Sequence, residues 1–104
     1  MIKIDDTGAW KLEIGEEIRR IERLLYDMNL LYSEGGYPPA QEFSRARLIM
    51  NPKLAAVQML CLAGMIIGGD EGAEPGLTGL IKVVAQDGSW VRCSDRLYRV
   101  EQHG

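Results

Sequence analysis

Histidine is nearly absent: His103, one residue from the end of this 104-residue chain, stands alone. Chain ends fray, so no Ser-His-Asp or Cys-His nucleophilic set has its base in a folded region. Cysteine is almost as scarce. Cys61 and Cys93 form no Cys-x-x-Cys pair, which removes the ligand spacing of a zinc site. In a reducing compartment both are expected as buried thiols rather than a disulfide. A catalytic thiol needs a base or a positive field, and Arg92, next to Cys93, would point to the opposite strand face. No apolar run reaches the ~18 residues of a membrane span; the longest, 59–67, contains Gly64. Met1-Ile2-Lys3-Ile4-Asp5-Asp6 lacks the charged lead and apolar region of a secretion signal. The expectation is a cytoplasmic protein with no membrane partner. There is no excess of positive charge: Lys plus Arg is 12 against 15 for Asp plus Glu, a net −3. That excludes a strongly basic nucleic-acid binder but not a local basic patch. No Gly-x-Gly-x-x-Gly or Walker loop occurs. The glycine-rich stretch 68–72 contains Asp70 and Glu71, which would repel a phosphate, and it reads as a hairpin loop. Asp70, Glu71 and Glu74 lack the alternating ligand spacing of a calcium loop. The sequence asks for no metal and no cofactor.

What remains is ordinary globular material, 46% hydrophobic and 26% charged, of a length that fits a single domain over 1–104. Ile2 and Ile4, then Asp5-Asp6-Thr7-Gly8, then Trp10, Leu12 and Ile14 read as an N-terminal β-hairpin. The clearest element is a helix over residues 16–33. Ile18, Ile21, Leu25, Met28 and Tyr32 recur every three or four residues, and Leu24 and Leu31 widen the stripe, as on a helix facing a core. Glu16 and Glu17 would sit in its first turn, favoured by the helix dipole. Glu16 can pair with Arg20, and Arg23 with Asp27. Glu34-Gly35-Gly36 supplies the stop. Tyr26 and Leu30 fall off the stripe and, with Tyr37, could form a contact patch.

Tyr37-Pro38-Pro39 breaks the chain, and Pro39 could open a second helix to residue 47 with Ala40, Phe43 and Ala46 (or Arg47) inward. Asn51-Pro52 is another break. Residues 57–67 read as a buried strand, 71–76 as an acidic Gly/Pro loop and 77–86 as a strand. Asp87-Gly88 marks a tight turn. Residues 89–94 return, and Leu97, Tyr98 and Val100 close an antiparallel meander.

The charge is uneven. Residues 76–100 carry Lys82, Arg92, Arg96 and Arg99 against Asp87 and Asp95, whereas the first 36 residues are net acidic. Trp90 and Tyr98 interleave with those arginines. Aromatic plus Arg on a sheet face suits a protein-interface hot spot or a single-strand nucleic-acid platform. A solvated face with its rings tucked inward is the plain alternative. Overall acidity favours protein over nucleic acid.

Several motifs carry a family likeness: Gly36-Tyr37-Pro38, Cys61-Leu62-Ala63-Gly64, Gly68, Leu77-Thr78-Gly79, and a closing segment from Trp90 to Arg99 (WVRCSDRLYR). Over residues 18–100 the chain resembles an uncharacterised family of small proteins of alphaproteobacteria and their phages. Gly69-Asp70 stands where that pattern has His-Pro, Cys93 where it has Thr and Asp95 where it has Ser. The resemblance implies an architecture and a mobile-element setting, without supplying a site.

Together these features predict an α+β domain: an amphipathic helix and a short second helix packed on an antiparallel sheet. The expected role is non-enzymatic protein binding in the cytoplasm, as a phage or mobile-element regulator or inhibitor of a host system. The expected contacts are Trp90, Arg92, Arg96, Tyr98 and Arg99. The alternatives are a nucleic-acid binder using the same face, a homodimer, and a small enzyme whose acid and base would be Asp5 and Asp6 or the Asp70/Glu71 loop.

Overall fold

The computed structural model describes residues 1–68 and 72–101. Gly69, Asp70, Glu71 and His103, with the loop and cation readings built on them, lie outside the described residues. The fold is α+β, with one long helix, one short helix and six strands among the described residues. The chain divides into two compact units, Met1–Leu12 with Val57–Gly104, and Glu13–Ala56.

The first unit contains β1 (Ile2–Lys3), β2 (Ala63–Ile67), β3 (Ala73–Leu77), β4 (Ile81–Val84), β5 (Trp90–Cys93) and β6 (Leu97–Arg99). A four-stranded sheet runs in the order β1-β4-β5-β6, and β2 and β3 form a separate two-stranded sheet. The expected meander is present as β4-β5-β6, antiparallel throughout. The sheet as a whole is mixed, because β1 pairs parallel with β4, Ile2 opposite Val83 and Lys3 opposite Val84.

That pairing replaces the expected N-terminal hairpin. Asp5 accepts hydrogen bonds from the Thr7 N–H at 3.0 Å and from the Thr7 hydroxyl at 2.6 Å, and Thr7 Oγ1 accepts from the Ala9 N–H at 3.3 Å. The cluster read as a hairpin turn is therefore a helix start. Trp10, Leu12 and Ile14 lie in α1 (Ala9–Ser33), where Trp10 and Ile14 share a face at i,i+4 spacing. Three residues cannot separate that spacing from strand alternation. Glu16 and Glu17 consequently lie two turns into the helix, and Arg20 pairs with Glu17 rather than Glu16. The stop is as expected: the Gly36 N–H donates to the Leu31 carbonyl at 2.8 Å, and Gly35 has φ +72°, the left-handed closure that glycine permits.

The second helix, α2 (Ala40–Arg45), is shorter than expected, and Pro39 caps it instead of occupying its first turn. Phe43, expected inward, is exposed. Residues 57–62 of the expected strand are not in a strand, although the Ile81 N–H donates to the Leu60 carbonyl. β3 covers Ala73 to Leu77, mostly where the loop 71–76 was expected, and the strand expected over 77–86 is confined to Ile81–Val84. Pro75 in β3 is tolerated because a strand at a sheet edge can lack a donor. Between β4 and β5 the expected turn forms: Asp87 accepts from the Ser89 N–H and hydroxyl, and Gly88 takes φ +74°.

Among the described residues, the buried apolar side chains are Ala85, Val91 and Cys93. Cys61, expected buried, is exposed, and both thiols are free, because residue 61 precedes β2 instead of lying inside a covered strand. The helix stripe read as core is exposed as well: Ile18, Ile21, Leu25 and Met28 are about half exposed and Tyr32 is 93% exposed. α2 is too short to cover it and lies toward a different side of α1. The groove there is lined by Tyr26, Leu30, Leu31, Pro38, Pro39 and Phe43. Tyr26 and Leu30 thus share a surface, but Tyr37 is not part of that lining.

Candidate functional site

Strand pairing sorts the closing segment onto two faces. Residues directly opposite each other in a ladder share a face, and successive residues alternate. Trp90 is opposite Arg99, and Arg92 is opposite Leu97 on one side and Val83 on the other. Those residues form one face, on which Arg92, Leu97 and Arg99 are exposed and Trp90 is half-buried. Val91 and Tyr98, also opposite each other, belong to the other face with Cys93. That face is the covered one: Val91 is 4% and Cys93 1% exposed.

Of the five predicted contact residues, Trp90, Arg92 and Arg99 therefore come together. Arg96 is exposed in the bend between β5 and β6, where its carbonyl accepts from the Cys93 N–H. Tyr98 points away from the arginine face. Its hydroxyl donates to Asp95 Oδ2 at 2.6 Å. Among the described residues, none of Arg92, Arg96 and Arg99 forms an ion pair.

Asp95 and Ser94 organise the end of this surface, and the composition of the segment concealed their role. Asp95 Oδ1 accepts from the Gly79 N–H at 3.0 Å, and Ser94 Oγ accepts from the Leu80 N–H at 3.1 Å. The Ser94 N–H returns a bond to the Leu80 carbonyl at 2.8 Å. One short turn thus fastens β6 to the segment leading into β4. The hydrogen bond from Tyr98 is the main cause holding the Asp95 carboxyl below its ordinary 3.8, partly opposed by desolvation. The same bond, with desolvation and the nearby carboxylate charge, raises the Tyr98 phenol above 10.0. The available signal was an Asp in a turn before a strand, a residue that readily accepts from nearby backbone.

An open hollow of about 450 Å³ lies at the other end of this sheet, lined by Lys3, Ile4, Asp5 and residues 84–88. Asp5, a candidate acid or base, is engaged there with Thr7 in starting α1. Among the described residues, no three His, Cys, Asp or Glu side chains converge on one point. Known proteins add no analogy. No family model, curated protein or solved structure matches this chain. Among the described residues, no helix is long and apolar enough to cross a membrane.

Proposed function

We propose that this chain is a non-enzymatic protein-binding module whose contact surface is the open face of the β1-β4-β5-β6 sheet. One observation carries that conclusion: Arg92 and Arg99 flank the exposed Leu97 and the half-buried Trp90 on a single strand-paired face. A large ring, an aliphatic side chain and two guanidiniums without ion pairs among the described residues are the ingredients of an interface hot spot. Arg96 extends the basic rim. Tyr98 acts indirectly by fixing the turn through Asp95. Under the resemblance to phage proteins, the partner is a host protein and binding regulates or inhibits it.

A photo-crosslinking residue at Leu97 tests the surface directly. With Arg92 and Arg99 intact the probe should capture a defined host protein, and Arg92→Glu with Arg99→Glu should abolish capture while preserving circular dichroism and melting. Equal capture by the charge-reversed variant, or none by either, overturns the proposal. Nucleic acid is the second occupant such a face could take, since rings and arginines also form single-strand platforms. Tight oligonucleotide binding that weakens steeply with salt would move the assignment there.

A further inference from the structure

α1 carries an apolar repeat that nothing in its own unit covers. Ile14, Ile18, Ile21, Leu25, Met28 and Tyr32 follow one another in alternating steps of four and three residues. That alternation of four and three is the pattern of a coiled-coil seam. All six lie within the Glu13–Ala56 unit. Leu24 and Leu31 border the seam on one side, and Glu22 and Asn29 on the other. The groove toward α2 involves Arg23, Tyr26, Asp27 and Leu30, with Leu31 at its margin, so α2 leaves the six seam positions open. Ile18, Ile21, Leu24, Leu25 and Met28 are each about half exposed, and Tyr32 almost fully.

We propose that a second copy of this chain occupies the seam, its α1 packed antiparallel around a two-fold axis near residue 23. The area fits. Side chains of this size and exposure present roughly 100 Å² each, so the stripe offers on the order of 700–800 Å² per copy, close to the ~800 Å² per partner of a standard stable interface.

The pairing is also self-complementary. Antiparallel packing sets Ile14 against the second copy's Tyr32, Ile18 against its Met28 and Ile21 against its Leu25. Every layer then joins a β-branched residue from one half of the helix to a longer side chain from the other. A parallel pair would instead stack Tyr32 on Tyr32.

Charge chooses the same direction. In a parallel pair, Glu17 on one flank meets Glu22 of the other copy on both sides of the coil, and like charges there oppose pairing. In the antiparallel pair, Leu24 meets Leu24 on one flank, and a single approach of Glu22 to Glu22 remains at the axis. Each charged half, 13–23, then lies beside the other copy's 24–33 half, where Asp27 is the one charged residue. This surface belongs to the Glu13–Ala56 unit and the arginine face to the other unit, and the proposal does not depend on the function assigned there.

Sedimentation equilibrium of the full chain at micromolar concentration should give twice the 11.6 kDa chain mass. Leu25→Asp, at a position 57% exposed within the chain itself, should keep the helical circular dichroism and weaken association on the order of a hundredfold or more, because it buries a charge in the seam. Leu24→Cys in a Cys61→Ala background should form a disulfide-linked dimer on mild oxidation. A parallel pair would hold the two positions on opposite flanks and prevent the link. A single-chain mass throughout the micromolar range, association unchanged by Leu25→Asp, or a dimer that Leu24→Cys fails to cross-link would each overturn the proposal.

Discussion

Replacing Gly79 by alanine places a methyl group where the chain has no room for one. The added Cβ would lie 2.4 Å from Ser94 Oγ and 2.7 Å from Asp95 Oδ1. Neither oxygen can yield freely. Ser94 Oγ is held by the Leu80 N–H, and the Asp95 carboxylate by the Gly79 N–H and the Tyr98 hydroxyl. Relief of about 1 Å, back toward ordinary contact, must therefore break the turn or shift the backbone beneath it. Such overpacking costs about 1–3 kcal/mol, against which Gly→Ala recovers about 0.4–1 kcal/mol by stiffening the unfolded chain. A net loss of about 1–2 kcal/mol should lower Tm by roughly 4–10 °C for a chain this small. Gly64→Ala is the matched control, because its Cβ meets nothing within 4 Å; it should melt at or slightly above the parent temperature. Melting should be followed by Trp90 fluorescence in a Trp10→Phe background at one fixed protein concentration, since association shifts Tm by mass action. Adding Ser94→Ala to Gly79→Ala should recover part of the loss, a coupling of at least about 0.5 kcal/mol. Equal melting of Gly79→Ala and Gly64→Ala, or strict additivity with Ser94→Ala, would refute the packing described for this turn.

Four further outcomes can be checked. Asp95 and Asp87 are held below their ordinary 3.8 in the folded chain, chiefly by hydrogen bonds from Tyr98 and Ser89 respectively. Their stabilisation should be intact above that pH and decline as pH falls through their folded values; an acid titration of the denaturant midpoint that stays flat below 3.8 would contradict it. The Tyr98 phenol is raised above 10.0 by the Asp95 hydrogen bond, so its stabilisation should fade as pH climbs past 10.0. In Asp95→Asn one tyrosine should ionise at lower pH by ultraviolet titration, and an unchanged curve would count against the bond. Thr7→Ala removes the oxygen that accepts from the Ala9 N–H and should cost about 0.5–2 kcal/mol in chemical denaturation. An aromatic disulfide reagent should modify the exposed Cys61 quickly and the buried Cys93 only on unfolding; two fast thiols would disprove the burial of Cys93.

The elements visible in the sequence were those whose signal is local and repeated. The stripe from Ile18 to Tyr32 marked α1, Gly35 and Gly36 marked its end, and Asp87-Gly88 marked the hairpin between β4 and β5. Where the signal was short, tertiary context decided. Trp10, Leu12 and Ile14 suited either period, and the Asp5–Thr7 hydrogen bonds settled them as helix. Glu74-Pro75-Gly76 looked like a loop, yet it forms the middle of β3 because the pairing partner is the apolar β2. Burial was least legible, since an amphipathic pattern states which face is apolar but not what covers it. At the arginine face, period-two alternation correctly put Trp90 beside Arg92. It could not foresee that Leu97 and Arg99 share the face, because that depends on the register between β5 and β6. The clamp from Asp95 to Gly79 spans 16 residues and has no local signature at all.

The parallel ladder between Ile2–Lys3 and Val83–Val84 joins two segments that lie far apart along the chain. α1 closes its bonds over a few residues and can form early, whereas β1 must wait, with Ile2 wet, until β4 is in place. Joining segments so distant in the chain slows folding, so this edge is the natural last piece to be laid down and the first to fray.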